Sequence, residues 1–434
     1  MRDGSWGWNR SQQAASTMEL PSASGAPRLA WLPAMRGLAI LMIVFYHITI
    51  AIYGTPWFAH PRSDWPERMA RIAQLRPIPQ ENTAAFLLAN LFRYAGWLGY
   101  QGTGVFLMIS GFGLTWALVS RSPAALLDRR AFYLRRFLRL FPLYWAGHLF
   151  FLVFNNLAGW RPFSPLDPRF ALSLLGLRFL PGVFHFISPA WWFIVLIMQL
   201  YAVFPFLWEA LKRWGAVRFG LGALALTLLS RAIGFFLLPV DPEMWSRGLL
   251  FTSRLGEFAL GMILAWWAAG DPARVHGWLR SPRSGLALLF LYGCGLGLSF
   301  TRPGAVIAPL LITPAASGFL VVFARDLLPR WPPAAWVLSR VGTFSYGVMV
   351  FHQPLLWALI VWLWPFQMPL SIRMSLIGGH RVHRDLFSGH GDRGEPPAGA
   401  LALQPHLPAP RPLRPDAGSE HPAFRFTSLK GGKP

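Results

Sequence analysis

One cysteine, Cys294, stands among 434 residues, so the chain can form neither an internal disulfide nor a cysteine-based metal site. Charge is almost as scarce. Asp, Glu, Lys and Arg make up 13%, where a soluble domain carries about 25%. Acids number 18 against 40 cationic residues, and only three of the cations are lysines (Lys212, Lys430 and Lys433). So little charge argues against a water-soluble globule. In a soluble chain the arginine excess would suggest nucleic acid. Here the arginines fall between apolar runs, where they orient helices and meet anionic headgroups, and no nucleic-acid partner is expected.

What fills the composition is hydrophobic: 54% of residues, with 22 Trp and 35 Phe. A bilayer span needs about 20 mostly apolar residues. Runs of that order lie at about Leu38–Tyr53, Gly102–Val119, Pro142–Leu157, Pro189–Leu211, Phe219–Leu238, Leu250–Ala269, Gly285–Phe300, Ala305–Ala324 and Phe344–Pro365. The expected fold class is therefore all-α, a polytopic transmembrane helical bundle of about nine spans in the lipid bilayer. A weaker run, Phe170–Phe186, is broken by Arg178 and Pro181 and reads as a re-entrant or interfacial segment.

Three regions follow: a polar leader over residues 1–30, the transmembrane domain over 31–366, and a tail over 373–434. The tail holds nine prolines and five of the eleven histidines, a composition expected to stay disordered. Its histidines lack a repeated ligand spacing, so no metal site is expected. The loop after the second run carries Arg121, Arg129, Arg130, Arg135, Arg136 and Arg139. Short arginine-dense loops stay in the cytoplasm, which places the N-terminus inside and Gly54–Tyr94 outside as a long loop. Trp31, Trp97, Trp160, Trp214 and Trp278 are expected near helix ends as interfacial anchors.

Ionisable side chains within spans are expensive and mark functional pathways by default. The runs and their edges hold Arg36, His47, His148, Glu257 and His352. Arg36 and His47 are eleven residues apart, close to three helical turns, so they share a face about 16–17 Å apart along the axis. A guanidinium can hold a phosphate bidentately, and an imidazole can abstract a proton near neutral pH. That separation is of the order of an extended phosphopantetheine arm. A bland reading stands beside it: arginine as topology anchor, histidine merely hydrogen-bonded.

Further residues carry a resemblance. Leu32-Pro-Ala-Met-Arg-Gly-Leu-Ala-Ile with His47 resembles the opening signature of the acyltransferase-3 family of integral membrane acyltransferases. Similar to that family's later motifs are Gly102-Thr-Gly-Val-Phe-Leu-Met-Ile-Ser110-Gly-Phe112 and Tyr133-Leu-Arg-Arg136-Phe-Leu-Arg139-Leu-Phe-Pro142-Leu-Tyr144. So are Trp192 with Gln199, Tyr201 and Pro205, then Arg254-Leu-Gly-Glu257-Phe-Ala-Leu-Gly261, and finally Ser345-Tyr346-Gly347 with His352-Gln353-Pro354.

The resemblance implies His47 as general base and Arg36, Arg136 and Arg139 as contacts for coenzyme A, with Glu257, His352, Gln199 and Tyr201 as further candidates. It implies transfer of an acyl group, commonly acetyl, from cytoplasmic acyl-CoA to a hydroxyl of a surface glycan or other small-molecule acceptor. Acyl-CoA would be a co-substrate, with no permanently bound cofactor, and the protein would sit in a bacterial inner (plasma) membrane. The alternatives are a transporter or flippase for a lipid-linked sugar, and a non-catalytic or truncated component of a surface-polymer pathway.

Two departures stand out. Many family members carry paired glutamates where this chain has Ile197 and Met198. The resemblance also implies a tenth span after the His-x-Pro helix, where this chain turns polar, and a frame disruption near residue 373 is the expectation. Translating the other two reading frames past that point should then reveal an apolar run of about 20 residues; its absence from both would overturn the idea.

Overall fold

The computed structural model describes residues 19–20, 28–53, 83–120, 126–157 and 162–363. Contacts divide the chain into two units, residues 1–383 and 384–434, and all described residues belong to the first. The tail from residue 373, most of the leader and Trp160 lie outside the described residues. What is described of the leader includes a minimal antiparallel pair, β1 (Glu19–Leu20) and β2 (Arg28–Leu29), which an all-α reading did not anticipate.

The rest is helical. In chain order the helices are α1 (Trp31–Tyr53), α2 (Thr83–Leu98), α3 (Gly102–Val119), α4 (Arg129–Leu157), α5 (Pro168–Leu174), α6 (Pro181–Phe184) and α7 (Trp192–Phe236). Then come α8 (Pro242–Arg247), α9 (Leu255–Gly270), α10 (Pro272–Arg280), α11 (Pro282–Ser299), α12 (Gly304–Val322), α13 (Pro332–Thr343) and α14 (Ser345–Leu363).

Where they are described the apolar runs fall on helix, but the candidate spans among the described residues number fewer than nine. Among the described residues five stretches are long and apolar enough to cross a membrane: Trp31–Ala51, Thr83–Val119, Arg129–Leu157, Pro189–Phe236 and Gly304–Arg330. The pair Pro332–Thr343 and Ser345–Leu356, bent by 80°, is either a sixth, broken span or a re-entrant loop. The physical reasons for the shortfall are local. Helix α9 has 16 residues, about 24 Å of rise against a hydrocarbon core of about 30 Å. In α11, Arg283, two serines and four glycines dilute the hydropathy. Two expected runs lie in α7 on either side of a break, and so fall within a single candidate stretch. The break is at Gly215, whose φ of 74° is open to glycine and strained for other residues.

The Gly54–Tyr94 loop also needs correction, because α2 occupies its end. That helix hides its polar side: Asn90 and Arg93 are buried, while Leu87, Leu88 and Leu91 are 61–68% exposed. Arg93 donates to Asn90 Oδ1 at 3.2 Å and to the Tyr94 hydroxyl at 3.0 Å. Trp97 is 1% exposed and lies 5.3 Å beneath the Arg93 guanidinium, so it is a core residue rather than an interfacial anchor. The exposed leucines of α2, with Leu221 and Leu229 on α7 and Leu286, Leu289 and Phe290 on α11, make an apolar outer surface suited to lipid.

Helix α1 is gripped from several sides, packing on α2, α3, α13 and α14. The closest approaches are glycine-lined. A Cβ on Gly37 would fall 2.0 Å from the Leu338 carbonyl oxygen of α13, and one on Gly342 would fall 1.8 Å from that of Pro33. The same reciprocity joins α3 to α9, with Gly111 against the Phe258 oxygen (2.1 Å) and Gly261 against that of Met108 (2.0 Å). Backbones in such contact gain dispersion that larger side chains would forbid. Gly261→Ala should lower thermal stability in detergent by about 1–3 kcal/mol through overpacking. Gly222→Ala, at a site with nothing within 4 Å, should be neutral or slightly stabilising; equal effects would discount the packing argument.

Candidate active site

Arg36 and His47 sit on the single continuous helix α1. The Arg36 guanidinium crosses α3 at Gly113, where a Cβ would stand 3.2 Å from its Nη2. It lies close enough to Arg136, Arg139 and Tyr201 to interact with each electrostatically. The Arg136 guanidinium lies 5.6 Å from the centre of the Tyr201 ring and 5.7 Å from that of Phe132, and its Nε is buried without a hydrogen-bond partner. Among the described residues none of these three arginines has an ion-pair partner. The structure thus brings together all three arginines of the sequence reading, and Tyr201 with them.

Three turns along α1, His47 Nδ1 is 2.8 Å from the Ile43 carbonyl oxygen. Helix α14 brings His352 against it, with His352 Nε2 3.2 Å from His47 Nδ1 and the ring centres 4.9 Å apart. Tyr46 flanks His47, and Tyr100 lies 6.2 Å beyond Tyr46 between ring centres. The Glu243–Arg247 ion pair of α8 is near enough that Arg247 acts electrostatically on His47 and Tyr46. The sequence reading missed this pair.

The His-Gln-Pro segment of α14 is locked by a specific joint. Pro354 has no N–H, so the Val350 carbonyl loses its i+4 helical donor. The Trp191 indole N–H donates to that carbonyl instead, at 2.7 Å. Next to it, Gln353 Oε1 accepts from the Ala190 N–H at 2.6 Å and from the Ser188 hydroxyl at 3.4 Å. These contacts fix the turn that carries His352.

Other candidates are held by structural bonds. Gln199 donates to the Leu249 carbonyl at 3.3 Å and accepts from the Phe251 N–H at 2.9 Å, clipping the approach to α9. Glu257 is fully buried and accepts from Arg254 Nε at 2.8 Å and Nη2 at 2.7 Å, while its Oε2 is unpartnered. Arg254 was not among the candidates, although its i,i+3 spacing was the signal. His148 bonds the Tyr144 carbonyl and Ser173 Oγ, each at 2.8 Å.

The weak Phe170–Phe186 run folds around Arg178. That guanidinium donates to Ser173 Oγ at 2.6 Å and to the carbonyls of Phe184 (2.9 Å), Phe186 (2.7 Å) and Ser188 (3.1 Å). Burial holds the Arg178 pKa below its ordinary value, with Tyr144 opposing the shift. Among the described residues no group of three or more His, Cys, Asp or Glu is arranged to hold a metal.

A family model described as an acyltransferase domain, that of acyltransferase 3, matches residues 29–379. The chain belongs to the acyltransferase 3 family. No curated protein and no solved structure matches it. The match takes in every helix from α1 to α14, and with them the arginine cluster and the histidine pair. This acyltransferase 3 protein is therefore a membrane acyltransferase with several candidate spans.

Trp191→Phe strands the Val350 carbonyl and should lower stability by about 1–3 kcal/mol. Pro354→Ala returns an N–H to that carbonyl, so the double variant should lose less than the sum of the two single changes. A thermal-unfolding cycle with no coupling between the two sites would refute the joint.

Proposed function

We propose that the protein transfers an acyl group, acetyl being the simplest, from cytoplasmic acyl-CoA to a hydroxyl of a surface glycan or other sugar-bearing acceptor. Arg36, Arg136 and Arg139 take the coenzyme A phosphates, and His47 is the general base. The observation that carries this reading is an arginine cluster with no carboxylate partner among the described residues, in which Arg36 of α1 meets Arg136 and Arg139 of α4 and shares its helix with an imidazole three turns away. Phosphate groups pair best with planar guanidinium donors, and three guanidinium groups drawn together with no counter-charge among the described residues favour an anion. The thioester arm would then run along α1 toward His47, with the acceptor reaching it from the opposite side of the bilayer.

His47 takes the acceptor hydroxyl proton as the oxygen attacks the thioester carbonyl. The C–S bond breaks, and the departing thiolate recovers the proton from the imidazolium. Membranes supplied with labelled acetyl-CoA test the scheme. His47→Ala should lower acyl transfer about 100- to 10,000-fold, the range of a positioned base, at unchanged protein level. Arg136→Ala should raise the acyl-CoA KM about tenfold or more, the worth of one charge-assisted hydrogen bond, with less effect on kcat. Transfer untouched by His47→Ala removes this histidine from the chemistry. Mass analysis of envelope glycans with and without the gene identifies the acceptor.

A further inference from the structure

His47 and His352 come from helices 305 positions apart in the chain, yet their rings meet edge to face, with 63° between planes. Each ring also has its Nδ1 set against carbonyls of its own preceding turn. For His47 the partner is Ile43 at 2.8 Å; for His352 the partners are Val348 at 2.9 Å and Met349 at 3.2 Å. A carbonyl oxygen only accepts, so both Nδ1 atoms must carry hydrogen; the other tautomer would press lone pair against lone pair.

With Nδ1 protonated, neutral His352 has its lone pair on Nε2, which points at His47 Nδ1. The His47 Nδ1–H is thus shared between the Ile43 carbonyl and His352 Nε2, a three-centre bond. What remains on His47 is an Nε2 lone pair with no hydrogen-bond partner among the described residues.

The charged and titratable groups facing the pair are Tyr46 on α1, Tyr100 behind it, and the Glu243–Arg247 pair on α8. None of them is hydrogen-bonded to either imidazole among the described residues.

We propose that His352 is the positioning residue of the acyl transfer. Its Nε2 fixes the His47 tautomer, leaves the His47 Nε2 lone pair free to act as base, and steadies the imidazolium formed when that lone pair takes the acceptor's proton. The inference rests on His47 being the base. No net proton is lost: the hydroxyl proton moves to His47 Nε2 and then to the leaving thiolate, while Nδ1–H stays within its shared bond. A neutral acceptor here does the orienting work that a carboxylate does in other base–orienter pairs.

Two variants of similar bulk separate this role from packing. His352→Phe removes the acceptor, whereas His352→Gln places an amide oxygen within reach of the same hydrogen. Purified protein in detergent is assayed for acetyl-CoA-dependent transfer, with thermal unfolding recorded for each variant and His47→Ala run alongside. His352→Phe should lose about 10- to 100-fold in kcat, part of what the base contributes, with the acetyl-CoA KM unchanged. His352→Gln should keep several-fold more of kcat. Equal kcat in the two variants, or a loss confined to KM, overturns the assignment. Should His352→Phe not accumulate, His352→Leu replaces it with the same expectations. A fully active His47→Ala would instead sink the underlying reading. An inactive His47→Ala with equal Phe and Gln variants sinks the positioning role alone.

Discussion

Guanidinium and imidazole groups must be held in apolar surroundings by a chain with very few acids, and the architecture turns on how each is satisfied. Unpaired buried charge costs several kcal/mol. Arg178 meets the demand with backbone carbonyls and a serine hydroxyl. Arg231 donates to the Ser253 and Ala305 carbonyls, and Arg254 uses Glu257. In each case most of the guanidinium donors bond inside the fold, with the Nε of Arg178 and of Arg231 left buried and unpartnered. Arg36, Arg136 and Arg139 differ, because neither carboxylate nor carbonyl takes them up among the described residues. That contrast, more than any count of positive charge, is the ground for proposing these three as an anion-binding mouth.

The same helix that carries Arg36 is held at backbone contact by glycine. At Gly37 and Gly342 the α1 and α13 backbones approach within the space of a missing Cβ, so α1 cannot slide or roll without collision. A rigid rod is what a two-point scheme needs: if one end grips phosphate and the other offers a base, a shift of one ångström between them costs rate. The close packing at Gly37 thus falls on the residue next to Arg36.

Much of this was legible in sequence, and the misses have physical causes. Hydropathy located the helices because lipid-facing and core-facing positions are both apolar. It overcounted spans because it does not weigh length against bilayer thickness, as α9 shows. It overlooked α2 because Asn90 and Arg93 dilute the run while facing inward. The Arg36–His47 face could be read from helical period alone. The meeting of His47 with His352 could not, since contacts between residues so far apart depend on packing that no spacing encodes. Arg254 and Glu257 stood in one motif at i,i+3 spacing, and the structure joins them as an ion pair.

His352, Gln353 and Pro354 show why a short motif can be one device. Proline at 354 removes the N–H that would have closed the helix on Val350, and this opens the carbonyl to Trp191. Glutamine at 353 then takes the Ala190 N–H just before that tryptophan, so the entry to α7 and the middle of α14 are joined at two adjacent points. With the turn fixed on one side by that joint, the histidine beside it projects toward α1. Replacing Gln353 or Pro354 would not be local: either change would loosen the register between the entry to α7 and α14, and that register bears on the distance at which one imidazole meets the other.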